Sequence, residues 1–275
     1  FLPDAVVQVK TKGEVIHLLK VANSYRVPVT PRGQGTCLSG GPLPVKGGIV
    51  LDMSQWPATI EVIPDDLIAV VSPSVLTAEI NKAAEEHGLM YPPDPSSAHV
   101  STIGGNLAEN SGGPRGLKYG VTKDYVIGLE LVTPEGEVIN TGGRTIKNVT
   151  GYDLTKIIVG SEGTLGVITR ATLKLVPKPL AVQTLMAVFN DVEQAGKAIS
   201  KTLTSGIVPS KMEFMDQACT IAVENYKPSG LPVDAAAVLI IELDGHPSAI
   251  QEEAEAIEHI MVELGAVDIK VPKDE

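Results

Sequence analysis

The amino-acid sequence predicts an α+β fold in two domains, residues 1–178 and 179–275. The chain has 275 residues, which exceeds the usual size of a single domain. Its first part has a strand–helix–strand–glycine loop–strand order, which is typical of an α+β unit. The order of predicted strands and helices changes at Pro177–Pro179, where we place the domain boundary. Beyond it, strands and helices alternate as in an open α/β sandwich of ferredoxin-like character.

The first domain opens with alternating strand and helix patterns. Residues 5–10 suit a short strand, and Thr11 with Glu14 forms a capping-box pattern. Apolar residues then recur at helical spacing over 12–26. Gly88 stands where a C′ residue is expected after another helix. The next predicted elements are strands at 27–30, 47–53, 58–63 and 67–72 and a helix at 76–87.

Residues 90–120 show no regular pattern. Loops of this length are usually functional or disordered. Val100, Ile103 and Leu107, set among small residues, argue against disorder. After this stretch we predict a hairpin of strands at 125–133 and 137–141, a short helix at 153–159 and a strand at 167–176.

The second domain is predicted from a regular succession of segments. In the helix after His246, Ile250, Ala254, Ile257 and Met261 mark one apolar face. The predicted elements are strand 181–189, helix 191–204, an extended stretch near 208–214, helix 216–225, strand 235–243, helix 247–264 and strand 266–271.

Composition excludes several classes of function. With 22 basic and 33 acidic residues, the net charge of −11 gives no electrostatic footprint for nucleic acid or an anionic membrane. We find no transmembrane run and no signal peptide, which predicts a cytoplasmic protein. Cys37 and Cys219 are too few for a four-cysteine iron–sulfur cluster. The five histidines are scattered, so we predict no metal site.

The segment PRGQGTCLSGG, residues 31–41, is the first candidate binding loop. Its four glycines let the backbone approach a ligand closely and point successive amides at an anion such as pyrophosphate. Arg32 could supplement the positive charge. The loop does not match the Walker A motif, because no Lys-Ser or Lys-Thr follows its glycines. It does not match the Rossmann fingerprint either, because Leu38 occupies the position of the third glycine. Taken alone, the loop fits a tight β-turn region equally well.

Two further glycine segments favour a ligand. Residues 92–113 combine paired glycines with hydroxyl and amide side chains, which hydrogen-bond to polar ligands. Residues 160–169, GSEGTLGVIT, place glycines beside an apolar strand. Three such loops in one domain are hard to explain as turns alone. The polar side chains of the second loop are Ser97, Ser101, Thr102, Asn106 and Asn110.

The ordered set PRGQGT-x-LSGG, PPDPSS-x4-TIGGNLAENSGG, KYG and TGYDLTKIIVGSEGTLGVIT resembles the vanillyl-alcohol-oxidase-type (PCMH-type) FAD-binding family. Within it, the chain is most similar to the branch with the bacterial glycolate oxidase flavin subunit, D-lactate dehydrogenases and D-2-hydroxyglutarate dehydrogenase. The resemblance covers nearly the whole chain. It implies a two-subdomain FAD-binding domain followed by a partial cap domain for substrate.

The resemblance also implies cofactor-binding roles at matched positions. The pyrophosphate cradle would comprise Arg32, Gly33, Gln34, Gly35, Thr36, Gly40 and Gly41. The flavin and ribityl region would be lined by Pro93, Asp94, Ser97, Thr102, Gly104, Gly105, Asn106, Asn110, Gly112 and Gly113, with Tyr119 and Gly120 close by. The pocket near the ribityl chain and adenine would be completed by Glu162, Gly166, Val167 and Ile168.

The position after the paired glycines of the first loop bears on flavin attachment. Covalent members of the family carry a histidine there, whereas this chain has Thr36. The resemblance therefore implies non-covalent FAD. We interpret the neighbouring Cys37 as a packed thiol rather than a flavin link.

The chain departs from the family in its second half. The HxGDGNxH segment and the later glutamate of the family's acid-binding metal site do not occur. Residues 210–216, SKMEFMD, match the start of the family's cap, so the chain is expected to be C-terminally truncated inside that domain. The groups that bind a 2-hydroxy acid and take its proton are expected beyond Glu275. No catalytic residue is assigned within the chain.

Three functions follow from the resemblance. The first is an FAD-dependent dehydrogenase that oxidises a 2-hydroxy acid, glycolate or D-lactate, to the 2-oxo acid. Its electrons would pass to an iron–sulfur subunit, an electron-transfer flavoprotein, a quinone or a cytochrome, which allows a peripheral location at the inner membrane through a partner. The alternatives are a flavin-dependent transferase like alkyl-glycerone-phosphate synthase, and a non-catalytic FAD-binding fragment.

Overall fold

The computed structural model describes residues 1–271, which divide into two compact units. The first unit comprises residues 1–113 and 120–178, and the second comprises 114–119 together with the chain from Pro179 onward. The predicted boundary at Pro177–Pro179 groups residues 114–119 with the first domain, whereas in the structure they cluster with the second unit. The reason is a long-range contact, since the side chains of Lys118 and Tyr119 bond to Asp244.

A small parallel sheet of order β1-β3-β2 begins the first unit. Thr11 and Glu14 form the expected capping box before the helix that crosses this sheet. Val15 of that helix packs with Leu51 and with Val132 of a later strand in one buried cluster. These elements are β1 (Ala5–Gln8), α1 (Lys12–Tyr25), β2 (Val29–Arg32) and β3 (Ile49–Asp52).

A five-stranded antiparallel sheet of order β4-β5-β9-β7-β8 forms the rest of the first unit's framework. A single 3₁₀ turn at Pro64–Asp66 joins its first two strands. The strands are β4 (Ile60–Ile63), β5 (Ile68–Val71), β7 (Val126–Val132), β8 (Val138–Gly142) and β9 (Val167–Lys174). The remaining regular elements are α2 (Thr77–Glu85), α6 (Leu154–Ile158), and β6 (Leu89–Met90) paired with β10 (Val176–Pro177).

Residues 90–120, expected to be irregular, contain short helices. Thr102 caps the first of these by accepting from the amide of Gly105, and Ile103 and Leu107 are fully buried. Because glycine has a low helix propensity, this segment gave no periodic signal, and burial of its apolar residues stabilises it instead. The helices in and just after this stretch are α3 (Ile103–Glu109), α4 (Gly116–Tyr119) and α5 (Thr122–Tyr125).

The second unit contains an antiparallel sheet of order β12-β13-β11-β14, covered by helices. Phe189, Leu239 and Ile257 lie in its main buried cluster. The elements are β11 (Ala181–Phe189), α7 (Val192–Thr204), β12 (Lys211–Asp216), α8 (Gln217–Tyr226), β13 (Ala237–Gly245), α9 (Pro247–Glu263) and β14 (Ala266–Lys270). Among residues 1–271, no helix is both long enough and apolar enough to cross a membrane.

The carboxylate of Glu130 is the main buried charge of the first unit. Its Oε2 lies 3.0 Å from Lys12 Nζ and 3.4 Å from Arg170 Nη2, and its Oε1 accepts from Thr169 Oγ1 at 2.9 Å. Burial by itself would raise the pKa of Glu130. The hydrogen bonds from Lys12 and Thr169 and the nearby charge of Arg170 outweigh it, so the pKa lies below the ordinary 4.5.

We expect Glu130 to stabilise the first unit at neutral pH and to lose this effect in acid. A carboxylate whose pKa is lowered by folding adds stability above its unfolded pKa, and that stability disappears as the pH falls through the folded pKa. Thermal unfolding of the wild type and of Glu130→Gln, measured from pH 7 to pH 3, checks this. The variant should melt lower at pH 7, and the difference should shrink below about pH 4.5. A difference that stays constant with pH contradicts the assignment.

Candidate functional site

A cleft in the first unit brings the three glycine segments together. It encloses about 1010 Å³, including solvent at its mouth. Strand β2 ends at Arg32, so the first loop leaves the sheet directly into the cleft wall. The second wall is formed around the start of α3 and the third by the loop that precedes β9.

In the first loop, the backbone at Gly35 lies close to the side chain of Arg32. Gly35 has φ +68°, a conformation that favours glycine. A Cβ built there would lie 2.8 Å from Arg32 Nη2. The guanidinium is therefore held beside the loop backbone, and both line the cleft. A guanidinium beside loop amides is a donor set that suits phosphate oxygens.

Glycines also let the walls approach each other closely. A Cβ on Gly33 would overlap Thr102 Oγ1, so the first loop packs directly on the residue that caps α3. A Cβ on Gly104 would lie 2.8 Å from Pro73 Cβ and 2.9 Å from the Pro73 carbonyl oxygen. At both positions the missing side chain lets backbone form part of the cleft wall, where a ligand can approach it closely.

Three buried polar residues line the cleft, Ser101, Thr102 and Asn106. Thr102 Oγ1 accepts from Gly105 N at 3.4 Å. The Asn106 amide donates to Thr77 Oγ1 at 2.5 Å and accepts from Ser111 Oγ at 3.3 Å. Asn106 therefore supports the wall through its own contacts. Ser101 Oγ is buried and has no hydrogen-bond partner within the described chain.

Two carboxylates lie near the other end of the first loop. Ser39 Oγ donates to Glu109 Oε2 at 2.9 Å, and a Cβ on Gly41 would lie 2.7 Å from Glu109 Oε1 and 3.5 Å from Glu162 Oε2. Neither carboxylate forms an ion pair with another described residue. Carboxylates accept hydrogen bonds from sugar hydroxyls, whereas Arg32 and loop amides donate to phosphate. The cleft thus offers complementary groups for both parts of a dinucleotide.

Most of the residues assigned to cofactor binding from the sequence line this cleft. They are Arg32, Gly33, Gln34, Gly35, Thr36, Gly41, Ser97, Thr102, Gly104, Gly105, Asn106, Glu162, Gly166, Val167 and Ile168. Their cofactor contacts remain a prediction, because a shared wall does not by itself identify a contact.

The other assigned residues lie outside the lining. They are Gly40, Pro93, Asp94, Asn110, Gly112, Gly113, Tyr119 and Gly120. Several have local structural roles. Asn110 ends α3 in a left-handed conformation and accepts from Lys123 N at 2.9 Å. Gly113 packs against the backbone of Asp94, and Tyr119 Oη donates to Asp244 Oδ2 at 2.7 Å in the second unit.

The cleft also contains residues that were not assigned from the sequence. They are Pro31, Cys37, Pro42, Met53, Pro73, Ser101, Ala108, Glu109, Ser111, Ser161 and Gly163. Glu109 and Ser111 lie within the second glycine segment, so proximity to the motif could have identified them. Met53 and Pro73 follow strands and carry no such signal, since only the fold brings them to the site. Cys37 and Cys219 are both free thiols.

Within residues 1–271, no group of three or more His, Cys, Asp or Glu side chains is arranged to hold a metal ion. The polar groups that line the cleft are backbone amides, hydroxyls, the side-chain amides of Gln34 and Asn106, the Cys37 thiol, the Arg32 guanidinium and the carboxylates of Glu109 and Glu162.

Comparisons with known proteins agree with this geometry. Residues 3–142 match the family described as FAD binding domain, and residues 178–275 match FAD linked oxidases, C-terminal domain. The chain is 46% identical over 274 residues to glycolate oxidase subunit GlcD of Bacillus subtilis, covering 100% of this chain and 58% of that protein. It is 41% identical to GlcD of Escherichia coli K12, covering 99% and 54%.

Two further relatives widen the comparison. The D-lactate dehydrogenase of Archaeoglobus fulgidus is 39% identical over 267 residues, covering 96% of this chain and 58% of that protein. A solved alkyldihydroxyacetonephosphate synthase superposes with a TM-score of 0.80 at 26% identity, covering 95% of this chain and 52% of that chain. The chain spans a little over half the length of the relatives it matches.

The family resemblance and the fold class inferred from the motifs are confirmed, and FAD is the cofactor that the first domain is built to bind. The chain belongs to the FAD-linked oxidases, with a FAD-binding domain followed by C-terminal-domain sequence of that family.

Proposed function

We propose that the protein carrying this chain is an FAD-dependent dehydrogenase that oxidises a 2-hydroxy acid, glycolate or D-lactate, to the 2-oxo acid. The observation that carries the proposal is the 46% identity to a glycolate oxidase subunit over the whole chain, glycine segments included. The 39% identity to a D-lactate dehydrogenase supports the same substrate class. Both relatives are named for the oxidation of a small 2-hydroxy acid.

The residues of this chain hold the cofactor in the proposed reaction. Arg32 and the amides of its loop bind the pyrophosphate, and Glu162 accepts from sugar hydroxyls. FAD held there would supply a two-electron acceptor for the oxidation of the hydroxy acid's C–OH to C=O, with release of two protons. The close approach of Gly33 to Thr102 and of Gly104 to Pro73 would limit the access of water to a cofactor held between these walls.

The reduced flavin must pass its electrons to an acceptor for each new turnover. We propose a partner such as an iron–sulfur subunit, an electron-transfer flavoprotein, a quinone or a cytochrome. The protein would then act in the cytoplasm or peripherally at the inner membrane through that partner.

A second candidate is a flavin-dependent transferase. It is favoured by the superposition on alkyldihydroxyacetonephosphate synthase, with a TM-score of 0.80. The identity of 26% to that chain is well below the 46% to the glycolate oxidase subunit, so the hydroxy-acid reaction has more support. A third hypothesis is that the chain by itself is an FAD-binding fragment without catalytic activity.

Anaerobic reduction of the flavin tests the proposal. The longer protein that contains this chain is mixed with glycolate, D-lactate or L-lactate, and the flavin absorption near its visible maximum is followed. Bleaching by glycolate or D-lactate, with equimolar formation of the 2-oxo acid, is the expected result. A flavin that stays oxidised with all three acids, yet is bleached by dithionite, excludes the proposal. A reaction that forms product with no net oxidation of the substrate would support the transferase.

We also propose that the flavin is held without a covalent bond. Thr36, on the cleft wall, cannot form the histidyl link of covalent family members. Acid or heat denaturation should release all the flavin into the supernatant. Cys37 is the nearest thiol in the lining, so Cys37→Ser serves as the comparison. Flavin that remains on denatured wild type and leaves denatured Cys37→Ser would show a cysteinyl link instead.

A further inference from the structure

Residues 112–121 form an excursion of the chain whose two ends meet at the wall of the cleft. Thr122 donates to the Ser111 carbonyl oxygen through its amide, at 3.1 Å, and through its Oγ1, at 2.8 Å. Thr122 is fully buried, and Ser111 lines the cleft. The amide and the hydroxyl of Ser111 in turn donate to Asn106, another lining residue. The base of the excursion, Ser111 with Thr122, is therefore part of the structure that supports the cleft wall.

The tip of the excursion, residues 114–119, is held by a different part of the chain. It clusters with the second unit, where the Asp244 side chain is only 2% exposed. Both carboxylate oxygens of Asp244 are occupied, since Oδ1 accepts from Lys118 Nζ at 2.5 Å and Oδ2 accepts from Tyr119 Oη at 2.7 Å. Two hydrogen bonds to one buried carboxylate fix both the position and the orientation of the tip.

The connections between tip and base have little slack. Two residues on either side, 112–113 and 120–121, separate them. One residue spans at most about 3.6 Å, so connections this short transmit a movement of the tip to the base. Gly113 also packs so closely on the backbone of Asp94 that a Cβ there would overlap the Asp94 carbonyl oxygen. The positions of the tip and of the base are therefore coupled.

We propose that Asp244 is a positioning residue for the cofactor site, acting through Lys118 and Tyr119 on the wall that Ser111 lines. The inference depends on FAD as the cofactor of the cleft and is independent of the acid that the enzyme oxidises. Asp244 lies in the sequence that matches FAD linked oxidases, C-terminal domain, outside the FAD binding domain match at residues 3–142. The second domain thus contributes to cofactor binding before any substrate is present.

This coupling has a thermodynamic counterpart. If the bond between Asp244 and the tip increases FAD affinity, bound FAD must stabilise that bond by the same factor. All residues that line the cleft belong to the first unit. FAD is nevertheless expected to slow amide exchange in the second unit, in β13 and in residues 114–119. An Asp244 that only stabilises its own sheet would not give this response.

Strand β13 offers a matched control in Glu242, two residues before Asp244 on the same face of the sheet. Glu242 Oε2 pairs with Lys211 Nζ at 2.8 Å, and Oε1 accepts from Ser210 Oγ at 3.1 Å. The Glu242 side chain is 16% exposed. Both of its partners belong to the second unit and lie outside the excursion. Glu242→Gln therefore removes a largely buried carboxylate from the same strand and leaves the bonds to the tip in place.

The experiment measures FAD affinity of the flavin-stripped chain by calorimetry, and amide exchange with and without FAD. In the wild type and in Glu242→Gln, FAD is expected to slow exchange in β13 and in residues 114–119. Asp244→Asn is expected to bind FAD about fivefold or more weakly and to lose this protection, while FAD still slows exchange in α3.

Variants at the tip test the same bond with the carboxylate in place. Lys118→Met keeps Asp244 and its bond from Tyr119, and it is expected to weaken FAD binding in the same direction. Lys118→Arg keeps the cation and its donors, and it should restore both FAD affinity and protection of β13. The proposal is overturned if Lys118→Met binds FAD as the wild type does, or if FAD protects β13 equally in Asp244→Asn. An equal loss of FAD affinity in Glu242→Gln would also overturn it, because any weakening of the second unit would then suffice.

Discussion

Gly104→Ala is expected to lose most of its FAD affinity and part of its stability. A Cβ at this position would lie 2.9 Å from the Pro73 carbonyl oxygen and 2.8 Å from Pro73 Cβ, and backbone cannot move aside as a flexible side chain can. Inserting a methyl group into a close-packed site costs about 1–3 kcal/mol. If the inserted methyl group is accommodated by moving α3 away from the first loop, the same free energy is lost from FAD binding. It corresponds to an affinity that is lower by about fivefold to 150-fold.

The neighbouring glycine gives a control in the same helix. A Cβ on Gly105 would lie 3.4 Å from Thr102 Oγ1, a contact at the edge of the ordinary range. Alanine also has a helix propensity better than that of glycine by about 1 kcal/mol. Gly105→Ala should therefore match or exceed the wild type in melting temperature. Because Gly105 also lines the cleft, the variant's FAD content, measured as the ratio of bound flavin to protein after gel filtration, is expected to fall less than that of Gly104→Ala.

The comparison of the two variants decides the interpretation. If Gly104→Ala retains stoichiometric FAD while Gly105→Ala loses it, the close approach to Pro73 does not shape the site. If both lose FAD equally, the paired glycines act through helix flexibility rather than through steric fit at one position.

The order of the glycine segments was enough to predict the family, because each segment carries backbone requirements that few other sequences meet. Most strands of both units were also predictable, because they are short runs rich in apolar residues that turn residues bound. Helix α3 was not, because Gly104 and Gly105 hide its periodicity. Its existence depends on burial of Ile103 and Leu107, which only the folded chain provides.

The cleft lining also contains both residues that the sequence predicts and residues that only the fold brings to the site. Arg32 and Gly35 were predictable from one contiguous motif, whereas Met53 and Pro73 reach the cleft through the path of other strands. Ser101 lay inside a recognised segment, but its unpaired state depends on where Ser97 and Thr77 hold its backbone. A residue's type and position in a motif can be read from the sequence, as can local partners such as those of the Thr11–Glu14 capping box, whereas partners distant in the chain cannot.

The packing of residues 114–119 with the second unit is a further long-range effect. Lys118 Nζ donates to Asp244 Oδ1 at 2.5 Å and to its carbonyl oxygen at 2.7 Å, while Tyr119 Oη donates to Oδ2. The Asp244 side chain is only 2% exposed. Lys118 and Asp244 stand 126 residues apart, so no local pattern links them.

Asp244→Asn is expected to destabilise the second unit strongly. The substitution keeps the shape of the side chain but removes the negative charge that compensates Lys118 Nζ. It also replaces one of the two carboxylate oxygens with an NH₂ group, which cannot accept from Lys118 or Tyr119. Removing one partner of a buried ion pair costs about 3–5 kcal/mol, and the lower end applies here because Lys118 is partly exposed. The effect is measured by amide hydrogen exchange in β13 and in residues 114–119, where we expect faster exchange than in the wild type.

An exposed pair in the same sheet supplies the control. Asp268 Oδ2 lies 3.8 Å from Lys270 Nζ, with both side chains about half exposed, at 51% and 53%. Exposed pairs of this kind contribute about 0–1 kcal/mol, so Asp268→Asn should leave exchange in β13 unchanged. If Asp244→Asn protects residues 114–119 as well as Asp268→Asn does, another contact holds this segment. If exchange accelerates only in Asp244→Asn, the buried carboxylate joins 114–119 to the sheet.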